Sequence, residues 1–466
     1  MESSATPTLA EILDALSRAL DLTEGQPRGH SARTAMVALR IGQELRLTDH
    51  QLETLYYAAL IKDSGCSANS RRIQSSFGGD ELLTKQAIKF VDWSNPTNAI
   101  GFAVRFTEPD APPLARLQKL LQMAGPPSRA MDAATSERCE RGAEIARRLG
   151  FDDDVALAIL DLDEHWDGHG APRHLSGFQI SIVGRILCLA QTLELFVAER
   201  GRAQGYTMLA ERSGRWFDPD VVSAARAFEQ DERFWASHAD HRAGRPRPVS
   251  HPGSALVPTA KAIDDVCGAF ADVVDAKSGY TAEHSSRVTE YAVAIAQRMG
   301  IGPQRISELR RAALLHDIGK LGVSNAILDK PGRLDAQEFE SVKRHPRYTY
   351  EILSPIRGFG RITEIAAAHH ERLDGRGYWR GLTAVDLDEE MRILAVADIY
   401  DALTAKRPYR DAMTPDDAIA LMWREAGQSI CPDCLAALEE LKSLRPDRQE
   451  LPSIQYPVPL VAIGGQ

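Results

Sequence analysis

A chain of 466 residues is about three times the ~150-residue domain prior, which excludes a small stapled fold and predicts two or three globular units. The 44% of apolar residues supply ample core, while 55 basic against 65 acidic residues leave a net charge of −10. That charge excludes a protein that coats DNA or an anionic membrane, and it requires any anionic substrate to meet a local basic patch. Six scattered cysteines are too few for a disulfide framework in so long a chain and fit a reducing compartment. No basic-then-apolar leader follows Met1, and no window approaches the ~18 apolar residues that a membrane span needs. The expectation is a cytoplasmic chain with no nucleic-acid or membrane partner.

In chain order, apolar residues recur at helical spacing and no alternating run of β-branched residues stands out, so the fold is expected to be mainly α. The segments GHSARTAMVALRIGQELRL at 29–47 and LIKDSGC at 60–66 open the chain. Within 67–130, GDELLTKQAIKFVDW and LARLQKLLQM read as amphipathic helices of no recognised module. DEHWDGHG at 163–170 and RILCLAQTLELF at 185–196 follow. His165, His169 and His174 fall in a turn-rich stretch and read as solvated. The Pro-, Arg- and Gly-rich stretch 237–258 is the expected linker.

Beyond it, Thr281 is a predicted N-cap for a helix stopped at Gly300, with His284, Val288, Tyr291, Ile295 and Met299 on one stripe. A helix from about Pro303 carries His316 on its apolar stripe and ends near Gly319. Asp335 and Glu338 predict a capping box for a helix running round to His345 and stopped by Pro346. Ile362, Ile365 and Ala366 bring His369 and His370 to a helix end, and Met391, Leu394 and Ala395 carry Asp398 inward. Cys431-Pro432-Asp433-Cys434 has the spacing of a redox or half-zinc motif, but no second pair accompanies it. A tail at 447–466, rich in Pro and Gly, is expected to be poorly ordered.

Five of the thirteen histidines thus lie between 284 and 370 on or beside buried stripes, with Asp317 and Asp398. Side-by-side buried imidazoles are costly without a cation. Imidazole and carboxylate ligands suit Fe, Mn or Zn, and the adjacent pairs His316-Asp317 and His369-His370 let neighbouring side chains reach neighbouring ions. Two divalent ions are the expected cofactors, with coordination positions left open for phosphate oxygens, as in a catalytic site.

The motifs LLHDIGKLGV at 314–323, KRHP at 343–346, HHERLDGRGYWRGL at 369–382 and ILAVADIYDALTAKRPYR at 393–410 resemble the HD-GYP phosphodiesterases over about 259–430. The resemblance implies an all-α HD-superfamily domain whose binuclear centre hydrolyses cyclic di-GMP to pGpG or GMP. It implies metal ligands at His284, His316, Asp317, His345, His369, His370 and Asp398. It also implies a phosphate-contacting Lys320, catalytic together with Asp317, and substrate-holding positions at Gly377, Tyr378, Arg407 and Arg410. Water activated by two cations would attack phosphorus while Lys320 neutralises the non-bridging oxygens. Where the signature reads GYP, this chain reads Gly377-Tyr378-Trp379, and the position of a third-metal glutamate is Tyr280. Trp379 keeps open another cyclic dinucleotide such as cyclic GMP-AMP or another nucleotide phosphoester; the rival from a different class is a non-catalytic nucleotide-binding signalling scaffold.

The first half repeats the pattern. Residues 30 and 62 stand 254 positions before 284 and 316, and 167 and 185 stand 207 before 374 and 392, which places an insertion at about 67–130. His30 and Asp63 remain, but Lys62, Cys139, Leu162, Asp163 and Gln191 replace the other ligands. The expected architecture is therefore a tandem: a degenerate copy at 1–236, the linker, a catalytic copy at 259–446 and the tail. The degenerate copy serves dimerisation, sensing or a signalling partner, or simply covers apolar surface.

Overall fold

The computed structural model describes residues 6–93, 95–109, 111–123, 127–243, 256–279, 281–406 and 411–443. Among these no strand forms; only isolated bridges occur, such as Asp374 with Thr383. The fold is all-α, as the helical spacing predicted, and the two halves repeat it. Buried apolar side chains of both halves form one contiguous cluster, from Leu13 and Leu16 to Leu435 and Leu438.

Helix Leu9–Thr23 opens the first half behind a capping box of Thr8 and Glu11, and helix Ala260–Asp275 opens the second behind Thr259. Each carries in its last turn a buried aspartate that accepts bonds from the backbone N–H and hydroxyl of a serine ten residues on. Asp21 holds Ser31 in this way and Asp275 holds Ser285. The following helices therefore begin at His30 and at His284. Glu283, in a left-handed conformation, is the N-cap there. Thr281, expected to cap, instead gives its hydroxyl to the Asp275 and Ser278 carbonyls.

Helix Pro303–Leu315 ends just before His316, and a 3₁₀ turn, Ile318–Gly322, follows. Pro346 does not stop a helix. The capping-box helix Ala336–Val342 ends first, and Pro346 occupies the opening turn of a new helix, His345–Leu353, where its missing N–H costs nothing. Helix Gly360–Ala367 delivers His369 and His370, and helix Glu389–Thr404 carries Asp398.

The stretch expected as a linker from 237 is still helical to Arg242, in Glu232–Arg242; residues 244–255 lie outside the described residues, as do Tyr280, Arg407, Arg410 and the tail. The insertion forms helices Glu81–Ile88, Pro96–Phe106 and Pro113–Met123. The first half packs on the second through helix Leu9–Thr23. Leu22 lies against Gly322 of the 3₁₀ turn, and Arg28 pairs with Glu351 at 2.5 Å.

Candidate metal centre and its degenerate twin

The fold brings the seven expected ligands together: six sit at helix ends and Asp398 within helix Glu389–Thr404, all aimed at one buried point. His284, His316, Asp317, His345, His369 and Asp398 are buried; His370 is half-buried. The two oxygens of Asp317 face different groups. Oδ2 lies 3.4 Å from His284 Nε2 and 3.4 Å from His316 Nε2, while Oδ1 lies 3.4 Å from His345 Nε2 and 3.6 Å from His369 Nε2. Asp398 Oδ1 joins the first group, 3.3 Å from His284 Nε2, and its Oδ2 is 3.9 Å from His370 Nδ1. His370 also groups with His345 and His369 at metal-ligating distances. The two oxygens of Asp317 thus face two groups of candidate ligands.

The tautomers are fixed from behind. His316, His345 and His369 each donate Nδ1–H to the carbonyl three residues earlier, of Ala313, Val342 and Ala366, at 2.6 to 2.7 Å. His284 Nδ1 bonds Asp401 Oδ2 at 2.7 Å. Each Nε2 therefore faces the Asp317 carboxylate. His284 Nε2, His316 Nε2 and Asp317 Oδ1 are buried without a hydrogen bond, and His345 Nε2 and His369 Nε2 face each other at 3.0 Å. Opposed lone pairs and orphaned buried acceptors are unfavourable unless a cation sits between them, so the donor set fits divalent metal.

Burial pushes the imidazoles of His345 and His369 well below their ordinary range and takes His370 down to about 3. Burial also opposes ionisation of Asp317 and Asp398, but His316 and Lys320 around the first and His284 and His316 around the second outweigh it and hold both carboxyls well below theirs. Neutral imidazoles at these three histidines and ionised carboxylates are the protonation states that ligation needs; His284 differs, because burial opposes its charge but Asp317, Asp398 and Asp401 outweigh that and hold it well above its ordinary range, so a cation would displace its proton. Lys320 Nζ reaches Asp317 Oδ2 at 2.5 Å from the rim of the site.

The signature loop is held to this centre by Glu371, whose carboxylate accepts the Arg380 and Leu382 N–H groups at 2.8 and 2.9 Å. A Cβ on Gly377 would come 2.5 Å from Glu371 Cα, so only glycine fits beneath it. The Tyr378 ring lies 4.7 Å from that of His370. Trp379 has φ +134°, far from the ≈ −65° that proline imposes. Its ring packs 5.0 Å from Tyr350, with the Arg380 guanidinium 4.9 Å above it.

Sequence reasoning missed the groups behind the ligands: Asp275, Glu371 and Asp401. Arg287 also bonds Asp401, at 2.6 Å. The repeat carried a signal for two of them, since Glu164 and Glu194 stand 207 positions before Glu371 and Asp401. In the first half Glu164 accepts the N–H groups of Arg173 and Leu175. Glu194 bonds His30 and, at 2.5 Å, Arg33.

The twin's metal positions are filled by side-chain cations. Lys62 pairs with Asp63, Lys89 lies 3.0 Å from Glu24 and 3.6 Å from Asp63, and Lys85 lies 3.1 Å from Glu24. Burial opposes the charge on Asp63, yet Lys62 and Lys89 outweigh it and hold its carboxyl well below the usual range. Glu24, Asp63 and Cys66 converge at ligating distances, but ammonium groups already neutralise the two acids.

One position needs correction: Arg138, not Cys139, replaces the KRHP histidine. A Cβ on Gly65 would meet the Arg138 carbonyl at 1.9 Å, as one on Gly319 would meet that of His345 at 2.0 Å, and Arg138 pairs with Asp163, the His370 counterpart. His165 is also not solvated; it is half-buried and stacks on Trp216 with ring centroids 4.2 Å apart. His169 and His174 are exposed, as expected. Cys431 and Cys434 are both buried.

The HD domain family matches residues 118–221 and 269–433, one stretch in each half. The chain belongs to the HD-domain family. Within it, this HD-domain protein is an HD-GYP phosphodiesterase, a metal-dependent phosphohydrolase. It is 40% identical over 440 residues to the 3′3′-cGAMP-specific phosphodiesterase 3 of Vibrio cholerae, covering 94% of this chain and 95% of that relative. The crystal structure of a cyclic GMP-AMP-specific phosphodiesterase of V. cholerae matches with TM-score 0.64 and 35% identity over 94% of this chain and 99% of that one. The cyclic di-GMP phosphodiesterase response regulator RpfG of Xanthomonas campestris pv. campestris is 38% identical over 171 residues, 36% of this chain and 45% of the relative. No described helix is long and apolar enough to cross a membrane.

Proposed function

We propose that this chain is a cytoplasmic cyclic-dinucleotide phosphodiesterase that hydrolyses 3′3′-cGAMP in preference to cyclic di-GMP, the substrate first expected. The observation that carries the choice is extent. Likeness to a cGAMP-specific enzyme runs through 94% of the chain, whereas likeness to the cyclic di-GMP enzyme RpfG covers 36%. The lost proline of the signature loop is consistent with an altered substrate loop, because φ +134° at Trp379 is closed to proline.

Two divalent ions, Fe or Mn, would lie on either side of Asp317: one held by His284, His316 and Asp398, the other by His345, His369 and His370. When bound, such ions supply Lewis acidity and an activated water nucleophile. The protein's own groups do the rest. Asp317 fixes both clusters through one carboxylate. The backbone carbonyls behind His316, His345 and His369 hold the ring orientation, and Asp401 does so for His284. Lys320, at the rim, neutralises charge growing on the non-bridging phosphate oxygens, and Tyr378 and Gly377 shape the wall on which a base rests. Arg407 and Arg410 lie outside the described residues and complete the substrate-holding set only as the family resemblance implies.

The test is a side-by-side assay of purified, Mn(II)-loaded protein on 3′3′-cGAMP and cyclic di-GMP. A higher kcat/KM for 3′3′-cGAMP is expected; equal or reversed preference sinks the assignment, and binding of either without turnover would favour the scaffold reading.

A further inference from the structure

The inserted helix Glu81–Ile88 reaches into both halves. At its start the Glu81 side chain is fully buried, and every group it bonds belongs to the second half. Its carboxylate accepts the Ser324 hydroxyl at 2.6 Å and the Asn325 N–H at 2.9 Å, and Lys277 Nζ lies 3.4 Å away. Asn325 continues the network, giving its side-chain amide to the Lys277 carbonyl at 2.6 Å and to Asp329 at 2.8 Å. Burial draws the Lys277 ammonium down to about 8, and Glu81 is the charge that opposes this.

One and two turns on, the same face anchors the helix in the first half. Lys85 bonds the Cys66 carbonyl and the Ser70 hydroxyl, each at 2.8 Å, and Lys89 holds Glu24. The far end of this strut therefore cannot shift freely.

The contact matters because of what precedes Ser324. The 3₁₀ turn Ile318–Gly322 carries Lys320 and closes on Val323, whose N–H bonds the Lys320 carbonyl at 2.9 Å. Ser324 then caps the short helix Asn325–Leu328. The hydroxyl held by Glu81 thus comes four positions after the lysine aimed at Asp317.

We propose that Glu81 is a positioning residue of the catalytic half: by clamping Ser324 and Asn325 it fixes the segment from which Lys320 projects towards the substrate phosphate. The inference rests on the Lys320 role given above. It assigns the insertion a part in the reaction that the degenerate copy could not play through metal.

A double-mutant cycle on the full-length, Mn(II)-loaded protein tests it. Glu81→Ala is expected to lower kcat about tenfold, the scale of a small misplacement of a reacting group, with KM within about twofold and metal per chain unchanged. Glu81→Gln, whose amide oxygen can still accept the Asn325 N–H while its NH2 donates to the Ser324 hydroxyl oxygen, should restore most of the loss. In a Lys320→Ala background, Glu81→Ala should cost less than about twofold more, because coupled residues are not additive. Equal losses in the two backgrounds, or a loss that follows metal content, overturn the proposal. Should Glu81→Ala fail to fold through the unpaired Lys277, the charge-balanced pair Glu81→Ala, Lys277→Met takes its place under the same criteria. Running the cycle on bis(p-nitrophenyl) phosphate as well as on 3′3′-cGAMP separates the outcomes. A parent that cleaves the first substrate but not the second ends the 3′3′-cGAMP reading while the cycle still decides the role of Glu81.

Discussion

The two halves solve one electrostatic problem in different ways. Around Asp317 the second half leaves buried lone pairs without hydrogen-bond partners, an arrangement completed by divalent ions. Around Asp63 the first half brings Lys62 and Lys89 into the same space, replaces the three remaining imidazoles with Arg138, Leu162 and Asp163, and puts Gln191 where Asp398 stands. The framework behind the two sites is nevertheless the same: Asp21 and Asp275 hold a serine, Glu164 and Glu371 hold a loop, and Glu194 and Asp401 hold the first histidine and an arginine. Ligands can be exchanged for internal cations as long as the scaffold that aims them is kept, because the scaffold's bonds are made within the fold and do not need a metal.

That contrast is most severely tested by the ligands themselves. The double change His316→Ala, Asp317→Ala is expected to reduce turnover at least about a thousandfold and to lower bound metal, measured by mass spectrometry. Lys62→Met should leave turnover within about twofold, so equal losses would place the chemistry in the wrong half. Chelation of the parent protein should remove activity, with Mn(II) restoring it.

The supporting acids give a second, smaller contrast. Asp401→Asn should weaken metal binding by about 10- to 100-fold, the usual effect of losing a group that orients a ligand histidine, as read by metal titration. Glu194→Gln should leave metal binding alone and instead cost about 3 to 5 kcal/mol of stability, since it strips charge from a fully buried network around Arg33; chemical denaturation measures this.

Restoring the family signature should not help. Trp379→Pro is expected to lower kcat/KM at least about tenfold, because proline cannot adopt the backbone angle on which the Glu371-held loop depends. An unchanged or raised value would show that the loop accommodates either geometry. In the twin, Pro172 already occupies the matching position, which makes the swap a direct comparison of the two loops.

The smallest expected effect concerns pH in the first half. Burial lowers His165 to about 4, against ~6.5 in the unfolded chain. Between those values the unfolded state binds the extra proton, so this group's contribution to stability is lost as pH falls from about 6.5 to 4. His165→Phe should flatten that part of the Tm against pH curve, and an unaltered slope would show the histidine to be solvated after all.

The meeting of these seven side chains was legible because the motifs fix both residue type and helix position, and so was the duplication, because His30 and Asp63 kept their spacing. Behind the ligands, legibility failed for physical reasons. Asp401 and Glu371 act through tertiary contacts across more than a hundred residues of chain or around a loop, and no local period marks them. Glu81 and Lys85 read as ordinary polar residues of an amphipathic helix until their burial is seen. The slip from Arg138 to Cys139 arises because a one-residue register is invisible in a helical stretch where a buried thiol looks more like a relic of a metal site than an arginine does. Thr281 and Pro346 mislead because each satisfies a capping rule, while Asp275 and the His345 turn decide where the helices begin.

The shared apolar cluster bears on how the molecule comes apart. Since Leu22 backs the turn that carries Lys320, heat should not melt one half while the other survives intact. A calorimetric trace with a single endotherm, moved upward by added Mn(II) in both halves alike, is the behaviour of one cooperative unit. Ligation on one side would then protect a fold that has no ion of its own on the other.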